Sequence, residues 1–103
     1  MENQFGDRIR HLRESKNLLQ RQVASMLDID TPMLSKIERG ERKAKKEQVV
    51  QFASIFNTNK DELLTLWLAD QLYDVAKDED VALKAIQITE KKIKVQKNIK
   101  GKN

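Results

Sequence analysis

The side chains best suited to chemistry by type and spacing lie between Thr31 and Lys46. On a helix, hydroxyl, ammonium and guanidinium groups at Thr31, Ser35, Lys36 and Arg39 would share the outward side. Such groups donate hydrogen bonds and positive charge, which suits an anionic partner that is rich in acceptors. We expect this stretch to bind a polyanion.

The residues that enzymes and metal sites require are scarce. His11 is the single histidine, there is no cysteine, and the three glycines are dispersed. A thiolate or histidine metal site and a glycine-rich phosphate loop are therefore excluded. Acidic pairs such as Asp61-Glu62 lie where helix caps are expected. We predict no enzyme activity, no bound metal and no cofactor.

Two short helices joined by a tight turn are predicted to position the polar side chains. The first covers 20–27, and the chain turns at 28–30. Thr31 is the predicted N-cap of the second helix, Pro32 suits its first turn, and Gly40 suits the left-handed backbone that ends it.

The second of these helices has distinct inward and outward sides. Ile29, Leu34 and Ile37 are expected to face inward, and small Ala24 lets the two helices cross closely. The pattern indicates a helix-turn-helix with Thr31–Arg39 as the recognition helix. The residues expected to point outward are Thr31, Pro32, Met33, Ser35, Lys36 and Arg39.

At these residues the chain resembles the Cro/repressor-type (XRE) helix-turn-helix family of bacterial and phage transcription regulators. The resemblance extends from about Phe5 to Leu66 and depends on many matches at fixed spacing. The matching positions are Arg13, Gln20, Val23-Ala24, Leu27, Ile29, Leu34-Ser35, Ile37-Glu38 and Gly40.

The resemblance implies five helices around one core, and it implies roles for three side chains. Gln20 would reach the DNA backbone from a helix N-terminus, where an anion is favoured. The alternative is a solvated Gln20. Arg13 and Glu38 would form a partly buried ion pair that joins the first helix to the recognition helix, with a phosphate contact as the alternative for Arg13.

The remaining DNA-binding candidates are cations. Arg39, Arg42, Lys43, Lys45 and Lys46 crowd a loop in which Glu41 is the only acid, and each can neutralise a phosphate. Arg21, beside Gln20, is a further candidate.

Apolar spacing predicts the other helices. Phe5, Ile9 and Leu12 indicate a first helix that ends near Lys16-Asn17, and a fourth helix is expected over 46–56. Asn59 is the predicted cap of a fifth helix, with Glu62 completing a capping box. We therefore predict an all-α, five-helix repressor-like domain followed by a C-terminal helix.

The fifth helix carries more apolar surface than one buried stripe requires. A helix from Asp80 could cover part of it, and a second copy of the chain is the economical partner for the rest. A monomer with a packed C-terminal hairpin is the alternative. The predicted dimer-interface residues are Leu64, Trp67, Leu68, Leu72 and Tyr73.

Charge separates the two ends of the chain. Residues 60–90 hold eight acidic side chains and three lysines, whereas every charged residue from Lys91 onward is lysine. We expect the acidic part to turn away from DNA and the lysine-rich tail to be solvated or disordered, with DNA contact as the alternative. The predicted domains are 1–66, for DNA binding, and 67–103, a C-terminal extension for dimerisation.

These features predict a homodimeric regulator that binds double-stranded DNA at a palindromic operator. Phage-type repressors, restriction-modification controllers and antitoxins are compatible types. The alternative is a protein-interaction module whose C-terminal helices bind another protein. No cysteine, signal-peptide pattern or membrane-length apolar run occurs, so a cytoplasmic protein is expected.

Overall fold

The structure, a computed structural model, describes residues 3–101 and the side chains of residues 3–98. Within that range the regular structure is entirely α-helical, which confirms the predicted fold class. The helices are α1 (Gln4–Ser15), α2 (Gln20–Met26), α3 (Thr31–Glu38), α4 (Lys46–Ile55), α5 (Lys60–Ala76) and α6 (Ala82–Gly101).

One hydrophobic core joins the first five helices. Phe52 of α4 lies at its centre and is fully buried. Its ring meets Phe5 of α1 edge-on at 5.9 Å and stacks with Phe56 at 6.0 Å, both favourable aromatic geometries. The other side chains with almost no exposed surface are Ile9, Val23, Leu34, Ile37, Val49 and Leu63.

Residues with a left-handed backbone conformation follow several of the helices, at points where a polar residue or glycine interrupts the apolar pattern. Asn17, Asp28 and Asn57 have φ values of 57°, 58° and 50°, and Gly40 has φ 76°. Asparagine, aspartate and glycine tolerate this backbone conformation better than other residues. The predicted break at Asp28 and the predicted end at Gly40 are both present.

The predicted N-cap of α3 was wrong by one residue. Asp30 is the cap, because its carboxylate accepts a 2.8 Å hydrogen bond from the backbone N–H of Met33. Thr31 is already helical, and Pro32 follows within the first turn. Asp and Thr are both good caps, so composition did not distinguish them.

Helix α2 begins without a side-chain cap, and the capping box predicted for α5 is only half present. Leu19 cannot cap α2 with its side chain, and its backbone N–H instead donates to Gln22 Oε1 at 2.7 Å. Asn59 caps α5 through the Glu62 N–H at 3.0 Å, as predicted. The Glu62 carboxylate, which was expected to return to Asn59, pairs with Arg8 at 2.8 Å.

The inward side of α5 packs against the core of the same chain. Leu63 is buried, Leu66 and Trp67 pack against the core, and the Trp67 indole N–H donates to the Ala44 carbonyl at 2.8 Å. Leu64 also packs against this core. Trp67 therefore lies within the reach of the chain's own core, because α5 extends along it with an i, i+3, i+4 stripe.

The chain divides into two compact units, the first running to Tyr73 and the second beginning at Asp74. Trp67 and Asp70 belong to the first compact unit. The division at 66/67 into a DNA-binding and a dimerisation part stays a prediction. The lysine-rich end, expected to be solvated or disordered, is helical as part of α6 up to Gly101. In the part of the chain that the structure describes, no helix has the length and apolarity to span a bilayer.

Candidate nucleic-acid interface

A buried ion pair fixes α3 against α1. Arg13 donates from Nε to Glu38 Oε2 at 2.7 Å and from Nη2 to Glu38 Oε1 at 3.1 Å. A third bond runs from Arg13 Nη1 to the Leu18 carbonyl at 2.9 Å. The hydrogen bonds to Glu38 raise the pKa of Arg13 above its ordinary value. The Glu38 side chain is only 4% exposed, so the pair joins the end of α3 to α1 largely out of contact with solvent.

Gln20 joins the same network from the start of α2. Its Nε2 donates to Glu38 Oε1 at 3.0 Å, so one carboxylate connects α1, α2 and α3. The side-chain amide is half-buried and has a second N–H available in this geometry. Gln20 is therefore oriented by Glu38 at the edge of the recognition helix.

A glycine permits the close approach of α1 and α3. A Cβ on Gly6 would overlap the Glu38 carbonyl oxygen and the Asn3 amide. Asn3 Nδ2 donates to that same carbonyl, and Asn3 Oδ1 accepts from the Gly6 N–H at 3.2 Å. The Asn3 side chain therefore caps the N-terminus of α1 and also provides a hydrogen-bond donor for a backbone carbonyl in the last turn of α3.

The predicted outward side of α3 has graded exposure. Pro32, Lys36 and Arg39 are exposed, and Thr31, Met33 and Ser35 are half-buried. Met33 also packs in part against the core. The apolar side of α3 is wider than the surface that Leu34 and Ile37 cover, and Met33 lies at the edge of that side.

Arg39 and Ser35 are held by a neighbouring acid. Arg39 donates from Nε and Nη2 to Glu41 at 2.6 and 3.3 Å, and from Nη1 to Ser35 Oγ. Arg39 holds the pKa of the Glu41 carboxyl below its ordinary value, and Glu41 raises that of Arg39. Glu41 therefore holds the Arg39 guanidinium in an internal ion pair, and Arg39 in turn contacts Ser35.

The basic loop after α3 is anchored at its middle. Ala44 is buried, and its carbonyl accepts the Trp67 indole bond. Lys43 Nζ lies 3.4 Å from Gln71 Oε1, which draws this ammonium toward α5. Among the side chains that the structure describes, the cations Arg21, Lys36, Arg42 and Lys45 are exposed and have no hydrogen-bonded or ion-paired partner.

An open cleft of about 430 Å³ borders the recognition helix. Gln20, Ser35 and Arg39 line this cleft, and so does Arg10 of α1. Acids also line the cleft, so it is a polar recess of mixed charge. Within residues 3–98, no cluster of histidine, aspartate and glutamate has the arrangement of a metal site.

Sequence reasoning missed the residues that support the interface. Asn3, Glu41 and Ala44 were not assigned roles, and neither were the partners of Asp70. Asn3 carried a detectable signal, because asparagine before an apolar-periodic run favours an N-cap. The roles of Glu41, Ala44 and Asp70 depend on partners brought close only by folding.

The fold and this surface agree with the comparison with protein families. A family model described as Helix-turn-helix matches residues 9–63, more than half of the chain. That range begins within α1, ends within α5 and contains both Arg13 and Glu38. Neither the curated proteins nor the solved structures gave a match. The chain belongs to the helix-turn-helix family, of the Cro/repressor (XRE) type, whose domain is a DNA-binding transcription regulator.

Proposed function

We propose that the protein represses or activates transcription by binding a palindromic double-stranded operator as a homodimer. The observation that carries this proposal is the outward side of α3, where the exposed side chain of Lys36 adjoins Thr31 and Ser35. Two recognition helices would enter major grooves separated by about 34 Å, one turn of DNA. A phage-type repressor, a restriction-modification controller and an antitoxin all fit this description.

Base recognition is assigned to the polar side chains of α3. Lys36 is exposed and free to extend toward guanine O6 and N7, the major-groove acceptors that suit a cation. Thr31, Pro32 and Ser35 would contact neighbouring base edges. Met33 is half-buried like Thr31 and Ser35, and its exposed part would contact a thymine methyl.

Phosphate contacts are assigned to the cleft and the basic loop. Gln20, Ser35 and Arg39 line one cleft, so a single phosphate could approach all three. The exposed cations Arg21, Arg42 and Lys45 would contact adjoining phosphates and set the register. Lys43 would contribute less to phosphate binding, because its ammonium group is directed toward Gln71.

The dimer is assigned to the outer side of α5. Leu68, Leu72 and Tyr73 are 52%, 53% and 44% exposed, and an exposed apolar row of this kind commonly marks an interaction surface. Leu64 and Trp67 pack in part against the core of the same chain and would contribute the exposed part of their surface to the interface. A two-fold interface would match the symmetry of a palindrome.

Selection of bound duplexes from a random pool tests the proposal. We expect a symmetric consensus whose half-sites lie about one helical turn apart. The variant Leu68→Glu with Leu72→Glu should remain folded by circular dichroism, bind the palindrome much more weakly and bind a single half-site normally. A chain that binds no duplex at physiological salt would instead favour a protein-interaction module.

A further inference from the structure

The backbone of the basic loop between α3 and α4 is fixed at both ends by hydrogen bonds. At its start, the N–H groups of Glu41 and Arg42 both donate to the Lys36 carbonyl, at 2.9 and 3.3 Å. At its end, the Lys45 N–H donates to Gln48 Oε1 at 2.8 Å. The loop has no helical or strand structure of its own, so the position of its middle depends on contacts with other parts of the chain.

Helix α5 holds the middle of this loop. Ala44 is only 1% exposed, and its carbonyl accepts the indole N–H of Trp67 at 2.8 Å. A second contact is made by Gln71, which accepts from Lys43 at 3.4 Å and donates to the Trp67 carbonyl at 3.3 Å. A buried carbonyl that loses its donor is left without a partner, which is costly. Trp67 therefore stabilises the inward position of Ala44.

Packing against the core does not by itself require a tryptophan at position 67. Leu63 and Leu66, on the same side of α5, contact the core without any polar atom. An indole adds one N–H donor and no acceptor, and that donor normally finds a partner when the ring is largely buried. The N–H of Trp67 is directed to the loop and not to its own helix. An apolar side chain of similar size would fill the same space without this bond.

Two exposed cations lie within two residues of this anchor. Lys45 follows Ala44 directly, and Arg42 precedes it by two positions. Because consecutive Cα atoms are about 3.8 Å apart, a fixed Ala44 restricts the space that both cations can reach. Cations that are held in place before binding lose less conformational entropy when they meet a phosphate. We infer that Trp67 is a positioning residue for DNA binding, which acts through Ala44 on the phosphate contacts of Arg42 and Lys45. The inference rests on those two contacts of the proposed function.

A replacement at the indole nitrogen tests this role with little change of shape. Trp67 is the sole tryptophan, so an analogue supplied in place of tryptophan alters this position alone. The benzothienyl analogue has sulfur where the indole has its N–H. The full chain that carries it should bind a short labelled duplex of random sequence about two- to tenfold more weakly, as expected for the loss of one hydrogen bond. The slope of log K against log salt should also become shallower, because the loop meets phosphates less often.

A double-mutant cycle separates positioning from a general effect on the fold. Trp67→Phe should weaken binding in the parent chain but cause no further loss in a chain that already carries Arg42→Ala with Lys45→Ala. A loss that came from weaker self-association or from lower stability would add to the loss from the two cations. Additive losses would therefore overturn the inference. Leu66→Val, which changes the core from the same helix, is the control and should leave the salt slope unaltered.

The order of the loop backbone provides a test that does not need DNA. Nitrogen-15 relaxation should give lower order parameters for the amides from Arg42 to Lys45 in the chain with the analogue than in the parent, with those of α3 unchanged. Equal order parameters in the two chains would overturn the role of Trp67 while leaving the proposed function intact. A parent chain that bound no duplex would instead overturn the proposed function, whatever the order of the loop.

Discussion

Asp70, near the end of α5, caps the N-terminus of α1 by accepting a 2.9 Å hydrogen bond from the backbone N–H of Phe5. Its other carboxylate oxygen accepts from the Gln4 N–H at 3.1 Å. The N-terminus of a helix leaves such N–H groups unsatisfied and carries partial positive charge, so a carboxylate is favoured there. One acid of the negatively charged segment therefore holds the two ends of the first unit together.

Replacing Asp70 by alanine should lower the free energy of unfolding by about 0.5–2 kcal/mol, the usual cost of losing a cap. Asp70→Asn should cost less, because the amide keeps one acceptor oxygen. Urea denaturation followed by circular dichroism measures both. Asp74→Ala, later in the same helix, is the control for loss of a charge. Equal stabilities of the Asp70→Ala variant and the parent would show that the cap contributes nothing.

Glu38→Ala should destabilise by about 3–5 kcal/mol, because it leaves Arg13 buried without its counter-charge. Arg13→Met combined with Glu38→Leu should cost less than Glu38→Ala alone, since no buried charge is then left unpaired. Thermal and urea unfolding give both values. The matched control is the exposed pair Arg8–Glu62, whose loss should cost about 1 kcal/mol or less. An unchanged melting temperature for Glu38→Ala would contradict the structural role.

Removing Arg39 should raise the pKa of Glu41. In the folded protein the pKa of Glu41 lies below its ordinary value. The ion pair therefore stabilises the fold at pH values above the ordinary pKa of Glu41, and this contribution is lost as the pH falls through the lower pKa of the folded state. Titration of the Glu41 carboxyl by carbon-detected NMR, in the parent and in Arg39→Ala, measures the difference. An identical midpoint in the two proteins would mean that the ion pair is absent in solution.

Glu41→Gln should strengthen binding to all duplexes, because it releases Arg39 to meet a phosphate. The slope of log K against log salt should steepen by about 0.9, the value for one phosphate contact. Glu79→Gln, which makes the same charge change outside the interface, should leave the slope unaltered. A gain confined to the preferred operator would instead assign Arg39 to base recognition.

Lys36→Ala should relax base preference at one position of each half-site and cost about 1–3 kcal/mol on the preferred operator. Lys36→Arg should retain the preference for guanine, since arginine reads the same acceptors. Competition binding with a set of singly altered duplexes measures the change. Equal losses on operator and random DNA would reduce Lys36 to a phosphate contact.

Arg42→Ala with Lys45→Ala should weaken binding to all duplexes alike and reduce the salt slope by about two units. Lys43→Ala should have a smaller effect, because Lys43 is drawn toward Gln71. Lys60→Ala with Lys77→Ala removes the same charge from the acidic segment and serves as the control. An equal change of the salt slope in both double variants would contradict direct phosphate contacts by Arg42 and Lys45.

Local patterns were sufficient for the helices and the helix-turn-helix. The left-handed stops at Asp28 and Gly40 and the buried residues Leu34 and Ile37 follow from residue type and periodicity, which act over a few neighbouring positions. The cap of α3 was misplaced by one residue because Asp30 and Thr31 have similar local preferences. Only the structure distinguishes the two, because it shows which side chain accepts the hydrogen bond from the Met33 N–H.

What the sequence by itself determined is the all-α class, the order of the helices and the basic outward side of α3, since each depends on short-range spacing. Tertiary structure decided which of these side chains are available. It turned Trp67 toward Ala44, Asp70 toward Phe5 and Gln20 toward Glu38, and it packed part of Met33 against the core. The first three contacts join residues 18 to 65 positions apart, and Met33 meets a core assembled from five helices. Local propensity carries no information on such distances, because they depend on how whole helices pack.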